Sequence, residues 1–208
     1  MLISRRSCAS LILLTLAITA FAQADVFPSP EAATAALFPN KKFSEWVSTE
    51  GDFNGDGIKD LAMILALYPK DEPLETRLVV LVGVPSGGYL PLSISSLYCE
   101  AQKFYNLEAE GASLFVTEVH KADGNGTITN TLQFRFNKKL ADLELIGQEN
   151  IGESFQDNSY HRLSVNYPAG MAIDYERVRG RIKVTKRTRF AAPQLARLNG
   201  FGCDTRPY

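Results

Sequence analysis

Nine consecutive residues hold the densest potential chemistry in the chain: Asp52-Phe53-Asn54-Gly55-Asp56-Gly57-Ile58-Lys59-Asp60. Asp52, Asn54 and Asp56 alternate through a tight turn, and Gly55 and Gly57 permit the backbone dihedrals such a turn demands. Asp60 returns from the start of the next strand, and the carbonyl of Ile58 is the fifth donor. Five oxygens at this spacing can replace the water around a hard divalent cation, which predicts a Ca2+ loop. Three carboxylates held so close repel one another by a few kcal/mol per pair at an effective dielectric of about 20, and a cation removes that repulsion. The twelfth position is Met63 rather than a bidentate Glu, and a strand follows rather than a helix, so the loop is not an EF-hand. With a closed set of protein ligands and no His or Cys nearby, the expected ion is structural.

Groups suited to acid–base or nucleophilic chemistry are few. The chain has two histidines, which limits proton transfer at neutral pH. His161 shares a strand face with Leu163, Val165 and Tyr167 and reads as half-buried and hydrogen-bonded. His120 ends a strand beside Lys121 and reads as a surface residue. There is no G-x-S-x-G, H-E-x-x-H or C-x-x-C. The polar stretch Gln148–Asn158 carries Glu149, Glu153 and Asp157. A carboxylate pair for glycoside cleavage would use such residues, but too little apolar surface accompanies them to hold them, so a solvated loop is expected.

A second pattern lies near the C-terminus. Basic residues recur at Arg177, Arg179, Arg181 and Lys183, then at Arg187 and Arg189. In an extended segment they would share one face, opposite Val178, Ile182 and Val184. Such a face either protects an edge strand from pairing or docks an acidic partner.

The elements that must position these residues are mostly strands. Residues 25–40, with Pro28, Pro30 and Pro39 around Glu31–Leu37, predict one short helix opened and stopped by proline. From Phe43 onward, β-like runs alternate with turn residues. The plainest runs are Leu61–Tyr68, Arg77–Val84, Tyr89–Ser95, Ser113–Lys121, Thr127–Phe136, Leu140–Gln148, Tyr160–Tyr167 and Arg181–Thr188. Short connections such as Pro85-Ser86-Gly87-Gly88 and Asn137-Lys138-Lys139 favour antiparallel neighbours. The expected fold is therefore mainly β, an antiparallel meander in blade-like or sandwich-like sheets with one short N-terminal helix. In Thr127–Phe136, Ile128, Leu132, Phe134 and Phe136 point one way, so that strand is half buried. Leu61–Leu67 and Leu78–Val82 are apolar on both faces and should be covered on both.

The stretch Gly51–Leu65 resembles the calcium loops of FG-GAP and VCBS-type repeats, which sit between two strands of a propeller blade. That resemblance makes Asp52, Asn54, Asp56 and Asp60 the side-chain ligands. Repeat proteins of this kind carry several copies, whereas only the start of a second is visible here, in Asp123-Gly124-Asn125-Gly126. Repeat count and length exclude a seven-bladed propeller. More broadly, the chain is similar to small exported bacterial proteins that carry one such loop.

The N-terminus predicts export. Arg5 and Arg6 precede an uncharged run from Leu11 to Ala22, and small residues at Ala20, Ala22 and Ala24 allow cleavage after Ala22 or Ala24. The run is too short for a retained membrane anchor. Cys8 lacks the aliphatic residue that a lipid-attachment signal places before it. Removing residues 1–24 leaves 184 residues, one domain spanning 25–208, with 20 basic against 23 acidic side chains and a net charge of −3. Such mild acidity points to no nucleic acid and no membrane surface. In a periplasmic or secreted location Cys99 and Cys203 would form a disulfide. Export, small size and the lack of catalytic motifs predict a non-catalytic calcium-binding interaction protein, including an inhibitor or immunity type. Its partner would be an envelope protein or an anionic polymer. The alternative is a calcium-dependent hydrolase of envelope material, using His161 or the acids between Glu149 and Asp157.

Overall fold

A computed structural model describes residues 25–68, 75–95, 104–122 and 126–202. The predicted signal segment, Cys99, Cys203 and the Asp123-Gly124-Asn125 turn lie outside the described residues. The helix α1 spans Pro30–Leu37. Ser29 caps it by accepting a hydrogen bond from the Ala32 amide at 3.2 Å, and Pro30 occupies the first turn, where no amide donor is needed.

The strands fall into two antiparallel meanders. Sheet I contains β1 (Lys42–Gly51), β2 (Asp60–Tyr68), β3 (Glu75–Gly83) and β4 (Tyr89–Ile94) in chain order. Sheet II contains β5 (Phe104–Glu110), β6 (Ser113–Ala122), β7 (Gly126–Asn137), β8 (Asp142–Ser154), β9 (Tyr160–Asn166), β10 (Met171–Val178) and β11 (Arg181–Arg189), again in chain order. Both are the meander that the short connections predict. Two expectations change. The polar stretch Gln148–Asn158 is a loop only beyond Ser154; up to there it is the second arm of β8, which pairs with β9 from Gly147↔Asn166 to Glu153↔Tyr160. Cross-strand bonds absorb its polar backbone, so hydrophobicity was not required to make it a strand. The segment Met171–Val178, with only weak alternation, is also a strand because β9 and β11 template it from both sides.

Sheet I is covered on both faces, as its continuous apolar runs require. Ala62, Ile64, Leu78 and Val80 join Leu114, Val116, Leu132, Phe134, Leu143, Leu145 and Val165 of sheet II in one buried cluster. Met63, Leu65, Leu67, Val79 and Leu81 face the other way and pack with Ala33, Leu37 and Phe38 around α1. The layers are thus helix, four-stranded sheet, seven-stranded sheet. The C-terminal segment closes one side. Leu198 donates to the Leu143 carbonyl at 2.7 Å and Gly200 to that of Ile94 at 3.2 Å, while Phe201 packs edge-on against Phe134 at 5.4 Å.

The buried cluster draws on β5 to β9, and its contacts fade at β10. In β7, Leu132 and Phe134 are buried but Ile128 is 47% exposed, so one end of that face lies beyond the cover of sheet I. All nine residues of β11 are exposed.

Candidate functional site

The Asp-rich loop joins β1 to β2 and is anchored from below. Phe53, an apolar residue between two polar ones, is fully buried in the inter-sheet cluster, a burial worth about 2–3 kcal/mol. A side chain on Gly51 would strike Ala109 and the Phe53 ring, so glycine is needed there. Gly55 and Gly57 adopt φ of 75° and 84°, the left-handed conformation that the spacing predicts for them.

The loop's polar groups divide into two sets. On the exposed side, Asp52 Oδ1 accepts from the amides of Gly55 at 2.7 Å and Asp56 at 3.1 Å, and its Oδ2 accepts from Gly57 at 2.9 Å. Asn54 Nδ2 donates to Asp56 Oδ2 at 2.9 Å, and Asp56 Oδ1 accepts from the Ile58 amide at 2.8 Å. Asp60 belongs to the interior and is 1% exposed. Its Oδ2 accepts from the amides of Phe53 at 2.8 Å and Asn54 at 3.2 Å, and its Oδ1 from that of Gly83 on β3 at 3.0 Å. Burial pushes its carboxyl above the ordinary range, against the pull of these three amides. Asp60 therefore buckles the loop to β3. Glycine is required at the far end of this buckle, since a Cβ on Gly83 would collide with the Lys59 carbonyl.

The donor chemistry of Asp52, Asn54, Asp56 and the Ile58 carbonyl suits a hard cation, and all four lie in one short solvent-facing turn. Among the described residues no three carboxylate, imidazole or thiol groups converge as a ready-made cage. Asp60, the fourth side chain of the predicted set, accepts backbone amides on both oxygens as Asp52 does, and differs from it in being buried.

Of the catalytic candidates, His161 and Glu153 line one cleft, while Glu149 and Asp157 are engaged elsewhere. Glu149 pairs with Arg162 on the outer face of sheet II. Asp157 sits in the β8–β9 turn, where the side chains of Ser154 and Ser159 hold its carboxyl below the usual range. His161 is more exposed than its apolar neighbours predict, with 55% of its side chain accessible and Nε2 lying 3.6 Å from Asp174. It lines an open cleft of about 460 Å3 with Ile128, Gly152, Glu153 and Glu176. His120 lies three strands away in the same cross-strand row, since it pairs with Ile128, Ile128 with Gly152, and Gly152 with His161. Its Nε2 is 3.8 Å from the buried Glu118.

The single basic face expected from alternation is not formed. Arg179 and Gly180, with φ of 51° and 73°, make the two-residue turn between β10 and β11. Chain reversal there puts Arg177 opposite Ile182 and Val178 opposite Arg181, and directly opposed residues share a face. A register shift between Asp174 and Tyr175 then inserts Thr185 as a bulge, which reverses the alternation beyond it. Arg181, Lys183 and Lys186 consequently share one face with Asp174 and Glu176. Arg187 and Arg189 share the other with Ile173, Met171 and Arg177. Arg177 is further tied down, bonding to the Asn158 carbonyl at 2.8 Å and lying over Tyr160 at 5.6 Å. The cations thus wrap both sides of an exposed edge. Lys186, outside the odd-numbered pattern, joins them because of the bulge.

No family model, no curated protein and no solved structure matches this chain.

Proposed function

We propose that this is an exported, non-catalytic, calcium-binding interaction protein whose docking element is the β10–β11 hairpin. One observation carries the reading. β11 is exposed along its whole length and holds Arg181, Lys183, Lys186, Arg187 and Arg189 with no acid, in a chain that is acidic overall. Arginine-rich, solvent-facing surfaces recognise carboxylate or phosphate groups, so the partner is an acidic envelope protein or an anionic polymer. An inhibitor or immunity-type role fits this arrangement, and a toxin or hydrolase gene beside this one would favour it.

The export reading rests on the Arg5–Ala24 pattern and would place the chain where calcium is plentiful. Bound through Asp52, Asn54, Asp56 and the Ile58 carbonyl, the ion would supply charge neutralisation in the turn, while Phe53 and Asp60 set the turn's position. The hydrolase reading is weaker. Ser154 and Ser159 give their side chains to Asp157 and Glu149 gives its own to Arg162, so of the candidate acids Glu153 alone shares the His161 cleft.

The test is capture from the organism's own envelope extract, comparing the wild type with Arg187→Glu/Arg189→Glu. The expected result is a component retained by the wild type and lost by the variant. Equal retention by both proteins would remove the hairpin from the function.

A further inference from the structure

The outer edge of β11 is a long strand edge that, among the described residues, no other strand covers. Alternate residues of an edge strand turn their N–H and C=O groups outward. At about 3.4 Å per residue the nine residues offer roughly 30 Å of such edge. Edges of this length are usually protected, and here the protection is selective. Charged side chains and the Thr185 bulge oppose pairing with a second copy, which would set cation rows against each other. The same cations favour a strand that carries carboxylates.

The two faces of the edge are unequal. On one, Lys183 lies opposite Glu176 and Lys186 opposite Asp174, so cross-strand acids already offset part of the positive charge. On the other, Arg187 lies opposite Ile173 and Arg189 opposite Met171, and no β10 acid offsets them. Ile182 and Val184, 52% and 39% exposed, share that second face with Arg187 and Arg189. An incoming strand would thus find, on one side of the edge, apolar surface followed by two uncompensated guanidinium groups.

We propose that β11 accepts an extended acidic segment of a partner protein as an added antiparallel or parallel strand, with backbone bonds at the free edge and carboxylates over Arg187 and Arg189. This rests on the reading that the hairpin is the docking element, and it names the partner's chemistry and the mode of binding. A flexible polyanion would use the charges alone. An added strand uses the charges, the backbone groups and the aliphatic side chains together.

The probe is a fluorescent nine-residue peptide of alternating Glu and Val, titrated against the full chain by anisotropy at low salt. A second probe is the same peptide N-methylated at alternate residues, which keeps its charge but lacks the strand-forming amides. Saturable binding of the first, with the second weaker by at least about tenfold, is expected. Arg187→Glu/Arg189→Glu should weaken the first peptide by a similar factor, and more than Lys183→Glu does. Equal affinity for the two peptides would overturn strand addition while leaving charge-based docking standing. Binding of a sulfated polysaccharide with no binding of either peptide would do the same. Unchanged peptide affinity in the double arginine variant would overturn both strand addition and the hairpin reading. The N-methylated probe alters nothing in the protein, so its result stands even if a variant fails to fold.

Discussion

Replacing Asp60 by Asn separates two roles that the loop motif confounds, calcium ligand and backbone clamp. The change is nearly isosteric, and the carboxylate it removes accepts three amides, from Phe53, Asn54 and Gly83. An Asn side chain presents one oxygen and one NH2 group. If the oxygen stays with Phe53 and Asn54, the NH2 faces the Gly83 amide and leaves a buried donor unpaired, at about 1–3 kcal/mol. The two surviving bonds lose their charge assistance, roughly 1 kcal/mol more in total. Against this, the variant no longer buries an ionised carboxylate, the same burial that pushes the Asp60 carboxyl up. The net loss is about 2–3 kcal/mol, which in a domain of this size lowers the melting temperature by about 4–12 °C. The assay is thermal unfolding by circular dichroism, with and without excess chelator. A clamp acts through amides, so the loss should persist in chelator. If wild type and variant melt together once calcium is removed, Asp60 acts only as a metal ligand and the clamp argument fails.

Millimolar calcium should raise the melting temperature of the wild type, and Asp56→Ala should abolish that rise; no shift, or the same shift in the variant, removes the proposed site. Cys99 and Cys203, if bridged, close a loop of about 100 residues, worth roughly 4–5 kcal/mol in the chain-entropy picture; two thiols titratable in denaturant without reductant would refute the bridge. Glu75 accepts from Lys41 at 2.9 Å and from Arg77 at 3.1 Å, and the Lys41 hydrogen bond, helped by Arg77, outweighs burial and holds its carboxyl below the ordinary range. A carboxylate depressed in the folded state adds stability above its unfolded pKa and loses it as pH falls through the folded value. Glu75→Gln should therefore cost about 0.5–1 kcal/mol at neutral pH, with the gap to wild type closing as pH falls below about 4. Urea-unfolding curves that stay equally separated in acid would contradict this.

Local chemistry is what the sequence determined by itself. Alternation and turn residues located most strands of both meanders, because a strand half covered by a core must alternate and a reversal needs Gly, Asn or Pro. The doubly apolar runs at Leu61–Leu67 and Leu78–Val82 announced a sheet covered on both faces, and the α1 layer and sheet II supply that cover. The Asp-Asn-Gly spacing located the loop and the glycines that take positive φ. Tertiary structure decided the rest, wherever a residue's role depends on what lies across from it. The spacing of Asp60 pointed to a cation, and the approach of β3 adds the Gly83 amide as a partner, a contact set by strand pairing. The polar arm of β8 is a strand because β7 and β9 satisfy its backbone from both sides, which no local pattern encodes. The loop is thus buckled to β3 through Asp60, with Asp52, Asn54 and Asp56 on its outer half. The basic residues after Arg177 do not form one face, because one turn and one bulged residue redistribute them over two. Side-chain direction in a strand has period two, so a single inserted residue reverses everything beyond it, and only the paired strand reveals the insertion.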